Sequence, residues 1–485
     1  MKFNYKVIFK VLGLLILMNG VFMMTCLPFS YYYGGRDFNA LLISGLSAII
    51  IGYLTFALSH RNQSKELKKK DGYLIVTFGW LAMSLFGTLP YMLSGAIPNF
   101  TDAFFETISG FTTTGATILS DIESIDKGIL FWRSLTQWIG GMGIIVLAVA
   151  ILPLLGIGGM QLFVAEAPGI SPDKLKPRIT ETAKRLWLIY VMLTVVEMVL
   201  LWIGGMDFYD AINHALTTMA TGGFSTKNAS VAYYTSPFIQ YVIIIFMFLA
   251  GTNFTVTYFA LHGKMLTVFR NEEFRFYCVV TAIVAILVSI GVYQTMGTTL
   301  ELSIRQALFQ VVSIITTTGY VTADYTVWPY EIIVLLFVMM FVGASAGSTA
   351  GGVKIVRHLI LVKNSVLELK RQLHPSAIIP VRLNGKAIHR DITFNILAFI
   401  MIYISIFAFG SIMMAFIGVD FMTSISSVAT CLGNIGPGLG DVGPVDHFGN
   451  MPELGKWLLS MLMLLGRLEL FTVLILFTPY FWRRI

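Results

Sequence analysis

Charge is what this sequence has least of. Only 12% of its 485 residues are charged and 56% are hydrophobic, against roughly 25% charged in a soluble domain. No water-soluble surface can be built from that stock, so the chain belongs in a bilayer. Cysteine is nearly missing too: Cys26, Cys278 and Cys431 lie far apart in or beside apolar segments, which suggests neither a disulfide framework nor a metal site. Seven histidines are scattered, and no cluster of His, Asp, Glu, Ser or Cys falls at one depth, so the chain is not read as an enzyme. The longest inner connections, 168–185 and 363–390, hold no nucleotide-binding pattern such as a G-x-G-x-x-G opening a helix after a strand, so no organic cofactor is expected and any nucleotide control must come from a partner. No A-x-A site follows the apolar core Val11–Cys26, which favours an uncleaved first span over a signal peptide.

Long apolar runs supply the rest. Ten candidate spanning helices follow from them, at about 5–30, 39–59, 72–95, 128–157, 183–205, 236–262, 276–297, 330–360, 391–417 and 455–481, each near the ~20 residues a hydrocarbon core requires. With both termini cytoplasmic, the inner segments hold 26 of the 33 lysines and arginines, and the positive-inside rule fixes that orientation. The basic face is explained by topology and anionic membrane lipid, so it does not argue for nucleic acid. Acidic residues gather outside: Asp121, Glu123, Asp126, Asp324, Asp441 and Asp446. They either draw cations to an external mouth or simply reflect translocated loops poor in lysine and arginine.

Four outer connections share one pattern. "TDAFFETISGFTTTGATI" (101–118), "YDAINHALTTMATGGFST" (209–226), "RQALFQVVSIITTTGYVT" (305–322) and "TSISSVATCLGNIGPGLG" (423–440) each begin with helix-compatible residues and end in a glycine cluster. Each is too short to cross and return as two helices, yet too apolar for an ordinary loop, which fits a re-entrant half-helix. Aligned on Gly115, Gly222, Gly319 and Gly436, they are spaced by 107, 97 and 117 residues. The expected fold is therefore an all-α polytopic membrane protein of ten transmembrane helices and four re-entrant half-helices. Two extra N-terminal helices (1–70) precede four tandem helix–loop–helix units with pseudo-fourfold symmetry, at 71–165, 166–270, 271–365 and 366–485.

Irregular backbone at membrane depth is tolerated only where it is buried or lines a water-filled cavity. Four glycine loops on one axis would turn carbonyls inward, and a dehydrated monovalent cation is their natural partner. Glycine meets the need for positive φ, and Thr114, Thr221 and Thr318 before it offer hydroxyl oxygens. The candidate ion ligands are Thr113, Thr114 and Gly115; Ala220, Thr221 and Gly222; Thr317, Thr318 and Gly319; and Asn434, Ile435 and Gly436.

With "TTTGAT", "ATGGFS", "TTTGYV" and "GNIGPG" at the four positions, the whole chain resembles the Trk, Ktr and HKT superfamily of potassium transporters, and within it the TrkH type, which the two extra N-terminal spans fit better than the shorter KtrB type. The resemblance implies potassium uptake across a bacterial inner membrane through a central pore, with potassium bound in the filter. It also implies a homodimer working with a cytoplasmic TrkA-type nucleotide-binding subunit. A sodium- or proton-coupled symporter is the alternative.

Two elements read as gates. "GASAGSTAGG" (343–352), with Gly343, Gly347, Gly351 and Gly352, should break the eighth span, each helical glycine costing about 1 kcal/mol relative to alanine; the family places an intramembrane gate in this helix, the alternative being close packing of small residues. Arg467 stands near the middle of the last span, where arginine costs at least ~2.5 kcal/mol. The family places a basic gate residue there; a salt bridge with a nearby carboxylate is the other reading. Glu106 could place charge behind a filter or hydrogen-bond the following loop, and the second is favoured. His214 reads as a packing residue, Glu197 raises a functional question as an intramembrane carboxyl, and Trp132, Arg133, Gln137 and Trp138 read as interfacial anchoring.

Overall fold

The structure is a computed structural model and describes residues 3–59, 69–143, 179–374, 377 and 379–483. The end of the expected fourth span and most of the basic connection 168–185 lie outside the described residues. Apart from a two-stranded ribbon at Arg382–Leu383 and Lys386–Ala387, the regular structure described is helical. Six helices are long and apolar enough to cross a membrane: Tyr5–Tyr32, Phe38–Leu58, Lys70–Leu93, Ala183–Ile203, Glu272–Met296 and Arg390–Phe416. Their outward faces carry the apolar surface that lipid requires. In Glu272–Met296, Val279, Ile283, Ile286, Leu287 and Ile290 are exposed, while Tyr277, Thr281, Val284, Val288 and Val292 on the opposite stripe are buried. The chain is a multi-pass helical membrane protein.

After the first two spans, whose helices pack along their length, the elements recur in a fixed order: a leading helix, a short buried helix, an irregular loop and a trailing helix. The short helices are Phe100–Phe111, Phe208–Met219, Leu300–Ile315 and Phe421–Gly433. The trailing helices are Lys127–Gly141, Pro237–Ala250, Tyr330–Met339 and Glu453–Arg467. The trailing helices depart from the sequence expectation. Only the eighth span was expected to break, but the expected sixth and tenth spans are bent pairs. Pro237–Ala250 meets Phe254–Leu261 at 111°, and Glu453–Arg467 meets Phe471–Phe477 at 110°. The eighth stops at Met339 and resumes only at Ile355. The physical cause is shared: Gly140, Gly251, Gly343 and Gly466 lie at or beside the stops, and a Cβ on Gly140 or Gly466 would meet the carbonyl of Phe111 or Leu432 at the end of a short helix. The tight approach of helix to helix end leaves no room for a side chain.

Candidate functional site

Each short helix is capped at its N-terminal end by a side chain that accepts from a free backbone N–H: Asn99 from Thr101 at 2.8 Å, Asp207 from Tyr209 at 3.0 Å, Thr299 from Leu302 at 3.3 Å and Asp420 from Thr423 at 3.0 Å. At the other end all four stop in the same way. Thr113, Thr221, Thr317 and Asn434 take left-handed backbone, with φ of 53°, 53°, 57° and 54°. The next N–H in each loop, that of Thr114, Gly222, Thr318 and Ile435, reaches back to the carbonyl of Ser109, Thr217, Ser313 and Thr430 at 2.8–2.9 Å. These are Schellman closures, usually made by glycine; a β-branched threonine in that region is strained.

One residue further on, Gly115, Gly223, Gly319 and Gly436 have φ of 79°, 76°, 78° and 98°. A Cβ at Gly115 would collide with the carbonyl oxygen of Gly222, one at Gly223 with that of Thr318, one at Gly319 with that of Ile435, and one at Gly436 would lie 2.7 Å from that of Thr114. Each loop thus abuts the next, and the fourth abuts the first. The four loops form a closed ring about one axis.

This geometry corrects the register of the second loop. The counterpart of Gly115 is Gly223, not Gly222, so the equivalent triplet is Thr221, Gly222 and Gly223, and Ala220 lies in the turn before it, its N–H still bonded to Leu216. A glycine pair offers two candidates by sequence, and the backbone uses the second for positive φ. The hydroxyl assignment shifts as well. The Thr114 hydroxyl meets that of Thr112 at 2.8 Å and accepts from Asn434 Nδ2 at 3.0 Å, and the Thr318 hydroxyl meets that of Thr316 at 2.8 Å. Both are engaged by side chains of the protein. Thr113 Oγ1, at the inner end, is buried with no hydrogen bond among the described residues.

Residues read as interfacial anchors prove to brace the ring. Glu106 and Arg133, both buried, pair at 2.6 Å. Glu106 also accepts from Ile118 N at 2.9 Å and from the Thr117 hydroxyl, as the loop-bonding reading expected. Arg133 donates to Ser225 O at 3.0 Å and lies 3.5 Å over the Phe224 ring. Gln137, one turn on, donates to Gly222 O at 2.6 Å and accepts from Phe224 N at 3.0 Å. Trp132 is buried and bonds Gly87 O, and Trp138 bonds Thr194. The missed signal was a charged and an amide residue four apart on one helix face. Beyond the ring Asn228 joins the loops of the first two units, accepting from Ile122 N at 2.6 Å and donating to Asp121 at 3.1 Å. That amide holds the Asp121 carboxyl below the ordinary carboxylate range.

Below the ring, the segment between Met339 and Ile355 is packed against its base. Gly351 N donates to Thr317 Oγ1 at 2.6 Å, and a Cβ on Gly351 would lie 2.7 Å from that of Asn434. Gly347 and Gly352 have φ of 72° and 65°, and Gly343 N donates to Val353 O at 2.8 Å, closing the neck of the loop. Thr349 Oγ1 donates to Met219 O at 3.0 Å, and Glu273 accepts from Ala346 N at 2.7 Å. Arg467 ends the last trailing helix with its guanidinium on carbonyls: Thr349 at 2.6 Å, Gly140 at 2.8 Å and Gly141 at 2.9 Å. It bridges the third-unit loop and the C-terminal end of the first trailing helix, where the dipole favours a cation. Glu469, in left-handed backbone after the break, pairs instead with Arg357, whose guanidinium lies 3.9 Å over Phe399. His214 bonds Asp210 O at 2.8 Å and the Ser225 hydroxyl at 3.0 Å, the satisfied packing role expected. Glu197 is fully buried with neither carboxylate oxygen hydrogen-bonded among the described residues.

A family model described as a cation transport protein, TrkH, matches residues 39–483. The chain belongs to the TrkH family. Over 99% of this chain and 100% of the relative it is 43% identical to the Trk system potassium uptake protein TrkH of Escherichia coli K12, and at the same coverage 40% identical to that of Halomonas elongata. The crystal structure of the potassium transporter TrkH from Vibrio parahaemolyticus superposes with a TM-score of 0.88 at 37% identity, covering 100% of both chains. The TrkH fold thus extends over the whole length described above.

Proposed function

We propose that this TrkH-family chain takes up potassium through a pore along the ring axis. The observation that carries the reading is the closed ring: four glycines in left-handed backbone, each against a carbonyl of the next loop. A ring of carbonyls can replace the hydration shell of a monovalent cation. Thr114 O, Gly222 O, Thr318 O and Ile435 O form one level of this filter, and the Thr113 hydroxyl offers a further oxygen at its inner end. In this reading the ten spanning helices and four re-entrant half-helices are arranged as two N-terminal helices and four pore units with the boundaries given above. The protein sits in a bacterial inner membrane with both termini cytoplasmic.

The loop with Gly343, Gly347, Gly351 and Gly352 closes the pore beneath the filter, and Arg467 locks it. A guanidinium on the axis repels cations and holds the loop by Thr349 O. Opening requires Arg467 to leave three carbonyls together. A homodimer docked on a cytoplasmic TrkA-type nucleotide-binding subunit, through the basic inner surface, would drive that release.

The test is purified protein in liposomes under a potassium gradient, with rubidium uptake followed as potassium, sodium and proton gradients are imposed in turn. Uptake that follows the membrane potential alone supports a channel; no potential-driven rubidium uptake in protein inserted with wild-type yield sinks the pore. The coupled alternative rests on Glu197, a fully buried carboxyl with neither oxygen hydrogen-bonded among the described residues. It predicts uptake that depends on a proton or sodium gradient at fixed potential.

A further inference from the structure

The four ring carbonyls are not alike. Among the described residues Thr114 O, Thr318 O and Ile435 O accept no hydrogen bond, whereas Gly222 O accepts the Gln137 amide at 2.6 Å. The difference begins in the sequence. The first and third loops place a threonine at this position, whose hydroxyl bonds the threonine two residues earlier at 2.8 Å and fills the space behind the loop. The second loop has Gly222, with no side chain. A Cβ there would collide with Gln137 Cδ, so a side chain from the first unit's trailing helix occupies the place a residue of the second unit leaves empty.

Gln137 is fully buried and holds two points at once, Gly222 O through Nε2 and Phe224 N through Oε1. The two backbone groups flank Gly223, the residue in left-handed backbone, so one planar amide fixes the turn that sets the carbonyl. One turn earlier on the same helix, Arg133 holds Ser225 O and is itself fixed by Glu106.

We propose that Gln137 is a positioning residue that sets ion discrimination. A carbonyl oxygen has two lone pairs; with one taken by an amide, Gly222 O can neither swing freely nor offer its full field to an ion. Discrimination between potassium and sodium depends on the number, field strength and freedom of the coordinating carbonyls. Released from Gln137, the second loop follows a smaller ion inward and the ring loses preference for the larger one. The inference rests on the filter reading above.

Two variants test it, with rubidium and sodium uptake measured at the same imposed potential and normalised to inserted protein. Gln137→Leu removes both bonds at similar volume. Gln137→Glu keeps the acceptor for Phe224 N and removes the donor to Gly222 O. Both should lower the rubidium-to-sodium ratio about fivefold, the worth of one or two hydrogen bonds, with rubidium uptake retained. A fold defect alone would lower both fluxes together and leave the ratio unchanged. A wild-type ratio in either variant overturns the proposal, as does failure of both to insert, which would make Gln137 a folding residue. Gly115→Ala, run alongside, separates the two claims. If it abolishes discrimination while the Gln137 variants do not, the clamp fails and the filter stands; if it too keeps the wild-type ratio, the filter reading fails.

Discussion

The ring and the inner end of the four units follow opposite rules. At the ring, different residues make the same backbone: Thr113, Thr221, Thr317 and Asn434 share one left-handed conformation, their φ values within 4°, though asparagine adopts it at less cost than threonine. At the inner end, the same event has different contents. All four trailing helices stop, but the third is followed by a long glycine loop, the fourth carries Arg467, and the second turns through 111° at Gly251–Asn253. The contrast teaches where symmetry is enforced. In the proposed filter four carbonyls converge at one depth, so the backbone of the ring is held alike; the proposed gate needs only one moving element and one lock, so the space below it can differ from unit to unit.

The largest effects are expected at the ring. Gly115→Ala, Gly223→Ala and Gly319→Ala should each lower rubidium uptake about a hundredfold or abolish its selectivity, since a Cβ adds strain of about 1–3 kcal/mol and meets a backbone oxygen that cannot yield. Gly222→Ala should be milder than Gly223→Ala, because its Cβ meets the flexible end of Gln137. The reverse order in liposome uptake would restore the register read from the sequence. Next comes the brace behind the ring. Glu106→Gln leaves Arg133 buried without its counter-charge and should cost about 3 kcal/mol, seen as a lower melting temperature in detergent; an unchanged transition would remove the pair from the account of stability.

At the inner end the expected effects have the other sign. Arg467→Ala should raise potassium flux about tenfold in correctly inserted protein, by freeing Thr349 O and removing a charge that opposes cations; equal or lower flux would rule out the barrier. Smallest is Glu469→Gln, which weakens the tie to Arg357 next to the Arg467 turn. It should raise flux about two- to threefold, the scale of a partly buried ion pair, and a change in selectivity instead would place Glu469 in the filter's support.

The legibility of the molecule follows the same division. Gly115 and Gly319 could be read because each stands alone behind three threonines, and no other residue adopts that backbone so cheaply; Gly436, among glycines at 433, 438 and 440, could be read only by its place in the repeat. Gly223 could not, since a Gly-Gly pair carries no mark of which member turns. The left-handed Thr113, Thr221 and Thr317 were invisible because local preference argues against them; only the packing of four helix ends about an axis imposes them. The loop at 343–352 announced itself by its glycines, whereas the breaks near Gly251 and Gly466 each rest on a single glycine in an otherwise apolar run. Arg133 and Gln137 read as anchors beside their tryptophans, because contacts across some 90 residues leave no local trace.

The ring is built by one chain rather than by four copies, and this bears on how it can change. In a homotetramer any substitution at the filter appears four times, so every trial is drastic. Here a single codon alters one quarter of the ring and leaves three intact. The glycine pair of the second loop, with its borrowed glutamine, is such a one-quarter edit, and on the proposed filter reading ion preference would drift in steps of a single ligand.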